Sequence, residues 1–159
     1  MIIFLNGSIN SGKSTIAKLL GKAMPGTAIV EIDTLREMID WMPINQAVPI
    51  GLENAIAVIR NFTKRGISCI VPYPLSQKNY EFIMGGLSEL GVPMHFFTLA
   101  PSLEKALSNR GERELSEQEQ KRIKYHYSIG IHAPSFGIVI DNSGQTPEET
   151  AKIILENIG

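Results

Sequence analysis

The chain contains little of what marks several protein classes. It has one cysteine, Cys69, in 159 residues, so no intrachain disulfide can form. The apolar setting of Cys69, Ile67-Ser68-Cys69-Ile70-Val71, is that of a buried strand and not of a reactive thiol, which needs a polar, partly exposed surround. No apolar run approaches the 18 residues that a spanning helix needs, and the amino terminus opens without a leader-like charged and apolar sequence. A soluble, cytoplasmic protein is expected. Fifteen basic residues against sixteen acidic ones give a net charge of −1 without a long basic run, which argues against nucleic acid or an anionic membrane as partner. One tryptophan and no internal repeat complete the absences. Nothing in these features fixes an oligomeric state.

What is present is a globular composition, 43% hydrophobic and 19% charged, at a length that suits one domain over residues 1–159. Its most informative stretch is Gly7-Ser8-Ile9-Asn10-Ser11-Gly12-Lys13-Ser14-Thr15, directly after the apolar run Ile2-Ile3-Phe4-Leu5. It matches the phosphate-binding loop G-x-x-x-x-G-K-[S/T] without mismatch. Glycines at 7 and 12 let backbone N–H groups turn toward an anion, because a side chain there would crowd the phosphates or forbid the turn. Lys13 brings a point charge to the β- and γ-phosphates of a nucleotide, and the Ser14 hydroxyl is the expected Mg²⁺ ligand. The following helix, with Ile16, Leu19, Leu20 and Ala23 on one face, aims its positive end at the same anion. Ser8, Asn10, Ser11 and Thr15 complete the expected nucleotide-contacting loop.

Further along, Thr27 to Asp33 reads as a second strand ending in acid. Strand alternation would put Glu31 and Asp33 on one side, near the carboxyl end where open α/β sheets bind ligands. Asp33 there could take a proton from a substrate hydroxyl or hold a water on Mg²⁺. Asp33 or Thr34 could also start a helix, with Thr34-Leu35-Arg36-Glu37 as a capping box. Arg36, one turn on, is either a substrate grip or a solvated helix arginine. The stretch 40–50, with Trp41 and two prolines, reads as an apolar loop that either lines a pocket or packs as a connection. A helix is expected over 51–65 and a central, doubly covered strand over 67–71. That strand ends in Pro72-Tyr73-Pro74, without an acid, and offers the Tyr73 hydroxyl to substrate or its ring to the core.

A helix over 77–90 and a strand over 94–99 follow, in which His95 has no partner for metal or triad chemistry. Eleven of the 31 charged residues then lie between Glu104 and Lys124. Arg110-Gly111-Glu112-Arg113 makes a break, and Ser116-Glu117-Gln118-Glu119 is a capping box opening another helix. Arginines at such a turn can close over a triphosphate as a lid at about 108–128 and stabilise charge on the transferring phosphoryl group; a solvated face is the other reading. His126 and His132 read as packing or lid surface. The last strand, 136–140, leads into Asp141 to Gln145 and a helix opened by Thr146-Pro147-Glu148-Glu149.

Five strands alternating with helices call for a three-layer α/β architecture, a parallel sheet with helices on both faces. The combination of N-G-S-x-x-S-G-K-S-T, an acid at the end of strand two, R-G-E-R after strand four and I-D-N-S-G before the last helix resembles the small phosphate-loop kinases. That superfamily includes the nucleoside monophosphate, shikimate and gluconate kinases, and its chloramphenicol phosphotransferase group is the most similar. The resemblance implies a sheet order of 2-3-1-4-5, ATP with Mg²⁺, and a small-molecule acceptor. It implies a lid built on Arg110 and Arg113 and a loop from Asn142 through Gly144 to Gln145 against adenine, with Arg110 stacking on the other face. Asp33 matches the acid that serves such kinases as base or metal-water holder. Glu31-Ile32-Asp33 in place of D-x-D, and Pro72-Tyr73-Pro74 in place of a glycine-rich turn, count against a shikimate-type acceptor. The expected function is transfer of the γ-phosphate of ATP to a small-molecule hydroxyl. The alternative is a nucleotide-binding regulatory ATPase without an acceptor, and the absence of N-K-x-D disfavours a GTPase.

Overall fold

The computed structural model describes residues 1–108 and 114–159. Strand β1 (Ile2–Asn6) lies at the centre of a five-stranded parallel sheet of order β2-β3-β1-β4-β5, as the resemblance implied. The other strands are β2 (Ala28–Ile29), β3 (Cys69–Pro72), β4 (Met94–Leu99) and β5 (Ile138–Ile140). Every residue of β1 is buried, which the apolar run Ile2 to Leu5 demands of a strand covered on both faces. Alternation sorts its side chains. Ile2 and Phe4 enter a core closed by α3 (Ile44–Thr63) and α4 (Gln77–Leu87), with Phe96 stacked on Phe4 at 4.5 Å. Ile3 and Leu5 enter the opposite core, closed by α1 (Lys13–Ala23) and α7 (Pro147–Glu156).

Two expectations are corrected. The second strand does not reach Asp33: pairing ends with the Val30 N–H donating to the Ile70 carbonyl, and α2 (Ile32–Glu37) begins at once. Val30 and Ile32 are both buried, and a helical turn lets Leu35 pack beside Ile32 at the i+3 position. Glu31 caps this helix through its backbone, and the capping box at Thr34 does not form. The stretch 40–50 is not all loop, because α3 starts at Ile44, and the helix expected at 51 is therefore seven residues longer at its start. Pro43 sits at its N-cap, where a missing N–H costs nothing. Pro49 lies within the helix, which proceeds because Ala47, Gly51, Ala55 and Ile59 form one buried row at four-residue spacing. At Gly51 an added Cβ would stand 3.2 Å from the Arg36 Cβ, so glycine allows α2 to lie close against α3. Trp41 is 77% exposed, so it does not pack as a buried connection.

The remaining helices are α5 (Leu103–Leu107) and α6 (Glu117–Ser128). Unlike the one at Thr34, the capping boxes of Ser116 with Glu119 and Thr146 with Glu149 form. Of the proposed lid, α6 is helical as expected, while Arg110 and Arg113 lie outside the described residues.

Candidate active site

The loop after β1 turns at the carboxyl edge of the sheet, with Gly7 at φ 135°, Asn10 at 61° and Gly12 at 102°. A Cβ on Gly7 would lie 2.5 Å from the Leu99 carbonyl oxygen and 2.6 Å from Ser11 Oγ, so the loop is shaped around the absence of a side chain. Gly12 is the N-cap of α1, whose first-turn N–H groups have no intrahelical acceptors and face outward from the helix start. Lys13 Nζ reaches back over the loop, donating to the Gly7 carbonyl at 3.0 Å and the Ser8 carbonyl at 2.6 Å. Burial lowers its pKa to about 8, against the opposing field of Asp33. Ser14 and Thr15 are exposed on the first turn.

Two features hold this loop from behind. Asn142 is buried and donates from Nδ2 to the Ser11 carbonyl at 2.9 Å, while Asn10 Nδ2 donates to the Ala106 and Ser108 carbonyls, each at 2.9 Å. Two of the residues expected to contact nucleotide thus use their side-chain amides to brace the loop against its neighbours. Beside them, Gly12, Thr15, Asn142, Gln145 and Thr150 line a cavity of about 220 Å³. Gln145 Oε1 accepts from the Thr150 hydroxyl at 2.9 Å. Gly144 lies in the turn before Gln145 with open space around it.

Asp33 and Arg36 share one face of α2 at i, i+3, with Arg36 Nε 3.5 Å from Asp33 Oδ1. Asp33 is half exposed, and its charge is felt at both Lys13 and Tyr73. Tyr73 is packed in the core with 6% of its surface exposed. Burial and Asp33 raise its pKa, and the positive Arg36 and Arg122 oppose that rise. Asp33 and Arg36, which the sequence suggested separately, are thus paired, and both influence the ionisation of Tyr73.

Three further residues belong to this region. Asn6, fully buried at the end of β1, donates to Thr98 Oγ1 and to the Ile131 carbonyl, each at 3.0 Å, and accepts from the Leu75 N–H at 2.7 Å. One amide thus joins β1 to β4, to the segment after β3 and to the segment after α6. His126, which reads in the sequence as packing or lid surface, packs under the phosphate loop with Nδ1 3.2 Å from Ser8 Oγ. Burial, with Arg122 and Lys13 nearby, lowers its pKa to about 4, so it is neutral at pH 7. Arg122, one turn before His126 on α6, was hidden in the sequence among eleven charges. It borders a second cavity, about 450 Å³, between the first turns of α3 and α4. His132 stacks on Tyr127, as a packing role requires.

No protein-family model and no curated protein matches the sequence. Solved structures do match over nearly the whole chain. A sugar kinase from Janibacter sp. is 20% identical at a TM-score of 0.76, covering 98% of this chain and 92% of its own. The APS kinase of Mycobacterium tuberculosis, solved with AMPPNP and APS, is 16% identical at 0.73, with 99% and 96% covered. The tunicamycin resistance protein of Deinococcus radiodurans is 21% identical at 0.72, with 99% and 95% covered. Among the described residues no helix is long and apolar enough to cross a membrane. With its sheet order, its loop after β1 and these likenesses, the chain has the fold of the small phosphate-loop kinases.

Proposed function

We propose that the protein is a phosphotransferase that moves the γ-phosphate of ATP onto the hydroxyl of a small molecule. One observation carries this reading: Lys13 and His126 both bond Ser8 in the loop after β1, and Arg122, one turn before His126 on α6, borders the 450 Å³ cavity. A donor site and an acceptor-sized cavity thus share one edge of the sheet, where α/β folds place ligands. The 220 Å³ cavity at Gly12, Thr15 and Gln145 suits the adenosine portion of the donor.

In this reading Lys13 and the start of α1 hold the phosphates, and Asp33 orients the acceptor hydroxyl and takes its proton. The hydroxyl oxygen forms a bond to the γ-phosphorus; the bond from that phosphorus to the ADP oxygen breaks, and ADP leaves with its electron pair. Arg36 and Tyr73 position the acceptor. Arg110 and Arg113, as lid residues, would spread the developing negative charge. Mg²⁺ in such sites takes its ligands from substrate phosphates and one or two protein oxygens. The exposed Ser14 hydroxyl beside Lys13 fits that need, and so does Asp33, whose carboxylate acts on Lys13. The ion would neutralise phosphate charge.

One feature favours a second reading. β3 ends in Pro72 and Tyr73, with no acid where phosphate-loop ATPases hold their metal, as in a regulatory nucleotide binder. Incubation with radiolabelled ATP, Mg²⁺ and a panel of hydroxylated metabolites and antibiotics separates the two. Acceptor-dependent label transfer is expected; hydrolysis or binding with no acceptor in the panel labelled would favour the regulatory reading.

A further inference from the structure

We propose that the 450 Å³ cavity binds an amphipathic organic anion, a molecule with a compact apolar body and a carboxylate or phosphate group, and that this molecule is the acceptor. The second clause rests on the phosphotransferase reading; the first stands on the cavity itself.

The cavity has two chemically distinct parts. Val48, Pro49 and Leu52 of α3 and Phe82 of α4 give it an apolar wall, and Phe82 stays 43% exposed where a soluble protein would ordinarily cover an aromatic ring. A bare polyol would leave much of that wall uncovered. The polar part carries charge of one sign: among the described residues Lys78 and Arg122 border the cavity and no Asp or Glu does. Among the described residues neither cation has an ion-pair partner, whereas Arg36 pairs with Asp33 and Glu37 and Arg60 with Glu89. Asn45 and Asn79 add neutral amides able to donate to an oxyanion.

Two helices also begin here. Asn45 is in the first turn of the 20-residue α3, and Lys78 and Asn79 are in the first turn of the 11-residue α4, so both positive helix ends add to the two side-chain charges. A neutral ligand would leave these four sources of positive potential unanswered. Arg122 can bind a carboxylate or phosphate through two parallel N–H donors. Its helix carries His126 one turn later, and His126 reaches Ser8 in the phosphate loop. The anion-gripping cation and the donor loop are thus held by one element. A neutral acceptor of modest polarity would fit the wall but not the charge.

The test uses the full chain with hydroxylated aryl and alicyclic carboxylates, such as 4-(hydroxymethyl)benzoate, each paired with its neutral amide, together with the corresponding phosphate monoesters. Binding is read by ligand-observed NMR without nucleotide. At least one anion is expected to bind about tenfold more tightly than its neutral partner, the scale of one charge-assisted contact. Arg122→Gln and Lys78→Gln should each reduce that preference, while far-UV circular dichroism and thermal protection by ATP show that the fold and donor site persist. Equal binding of acid and amide, a preference unchanged in both variants, or no binding by any anion in the panel would overturn the proposal. Label transfer from ATP is scored separately. Transfer only to neutral acceptors defeats this inference and leaves the phosphotransferase reading intact, whereas anion-selective binding without transfer to any acceptor defeats that reading and leaves the anion site standing.

Discussion

Ser8 Oγ and His126 Nδ1 lie 3.2 Å apart, both residues buried, so the floor of the phosphate loop is fastened to α6 across 118 residues of sequence. At Nδ1 a neutral imidazole can accept the Ser8 O–H; a protonated one cannot.

The burial of His126 makes the fold sensitive to acid. The pKa of His126 is lowered from 6.5 to about 4 in the folded protein, so between those values the unfolded chain binds a proton that the native state excludes. The contribution to stability is full above about pH 6.5 and is lost as pH falls toward about 4, amounting to about 2 kcal/mol by pH 5. Urea unfolding at pH 7 and pH 5 should show this loss, and His126→Gln, which cannot titrate, should be less stable at pH 7 but lose less between the two. An equal loss in both proteins would remove His126 as the cause.

Lys13 predicts a limit at the alkaline end. With its pKa lowered from 10.5 to about 8, it is charged below that pH and increasingly neutral above it. ATP affinity should be level up to about pH 8 and then fall, by at most about tenfold per unit, because the charge that meets the phosphates disappears. Lys13→Met should bind ATP roughly 30-fold more weakly at pH 7 and show no such decline, consistent with loss of about 2 kcal/mol of charge-assisted bonding. Isothermal titration calorimetry from pH 6 to pH 10 checks both.

Asp33 stands where its carboxylate acts on Lys13 and Tyr73 while remaining half exposed. Asp33→Asn should lower the turnover rate by about 100-fold, the usual scale for a positioned base, with little effect on ATP binding. Its ion pair with Arg36 is a surface pair, so stability should change by less than about 1 kcal/mol. Full retention of transfer activity would show that another group handles the proton.

Gly7 tests the shape of the loop. Gly7→Ala forces a Cβ to within 2.5 Å of the Leu99 carbonyl oxygen at a φ of 135°, and should destabilise the fold by about 2–4 kcal/mol and abolish thermal protection by ATP. Gly85→Ala is the control: it lies in α4 with open space around it and should stabilise by roughly 0.5–1 kcal/mol.

Features governed by near neighbours were readable from sequence. The phosphate loop, the first turn of α1 and the capping boxes at Ser116 and Thr146 depend on residues within about one turn of each other, and all are present. The alternation of strands with helices led to the parallel sheet, because few topologies satisfy short right-handed crossovers. Errors arose where a local signal was outweighed. The alternation at Glu31 and Asp33 suggested a strand, but packing of Ile32 and Leu35 against α3 turned the chain into a helix. Pro43 and Pro49 suggested a break, but a buried row from Ala47 to Ile59 carried the helix through.

By itself, then, the sequence determined the shape of the turn from Gly7 to Thr15, since the glycines, the lysine and the strand before them act over a few residues. Only the tertiary structure decided what surrounds that place. Asn6 reaches Ile131 across 125 residues, His126 comes under Ser8, and Arg122 meets the first turns of α3 and α4 at one cavity. Those partnerships depend on the packing of two layers against one sheet, and no spacing along the chain encodes them.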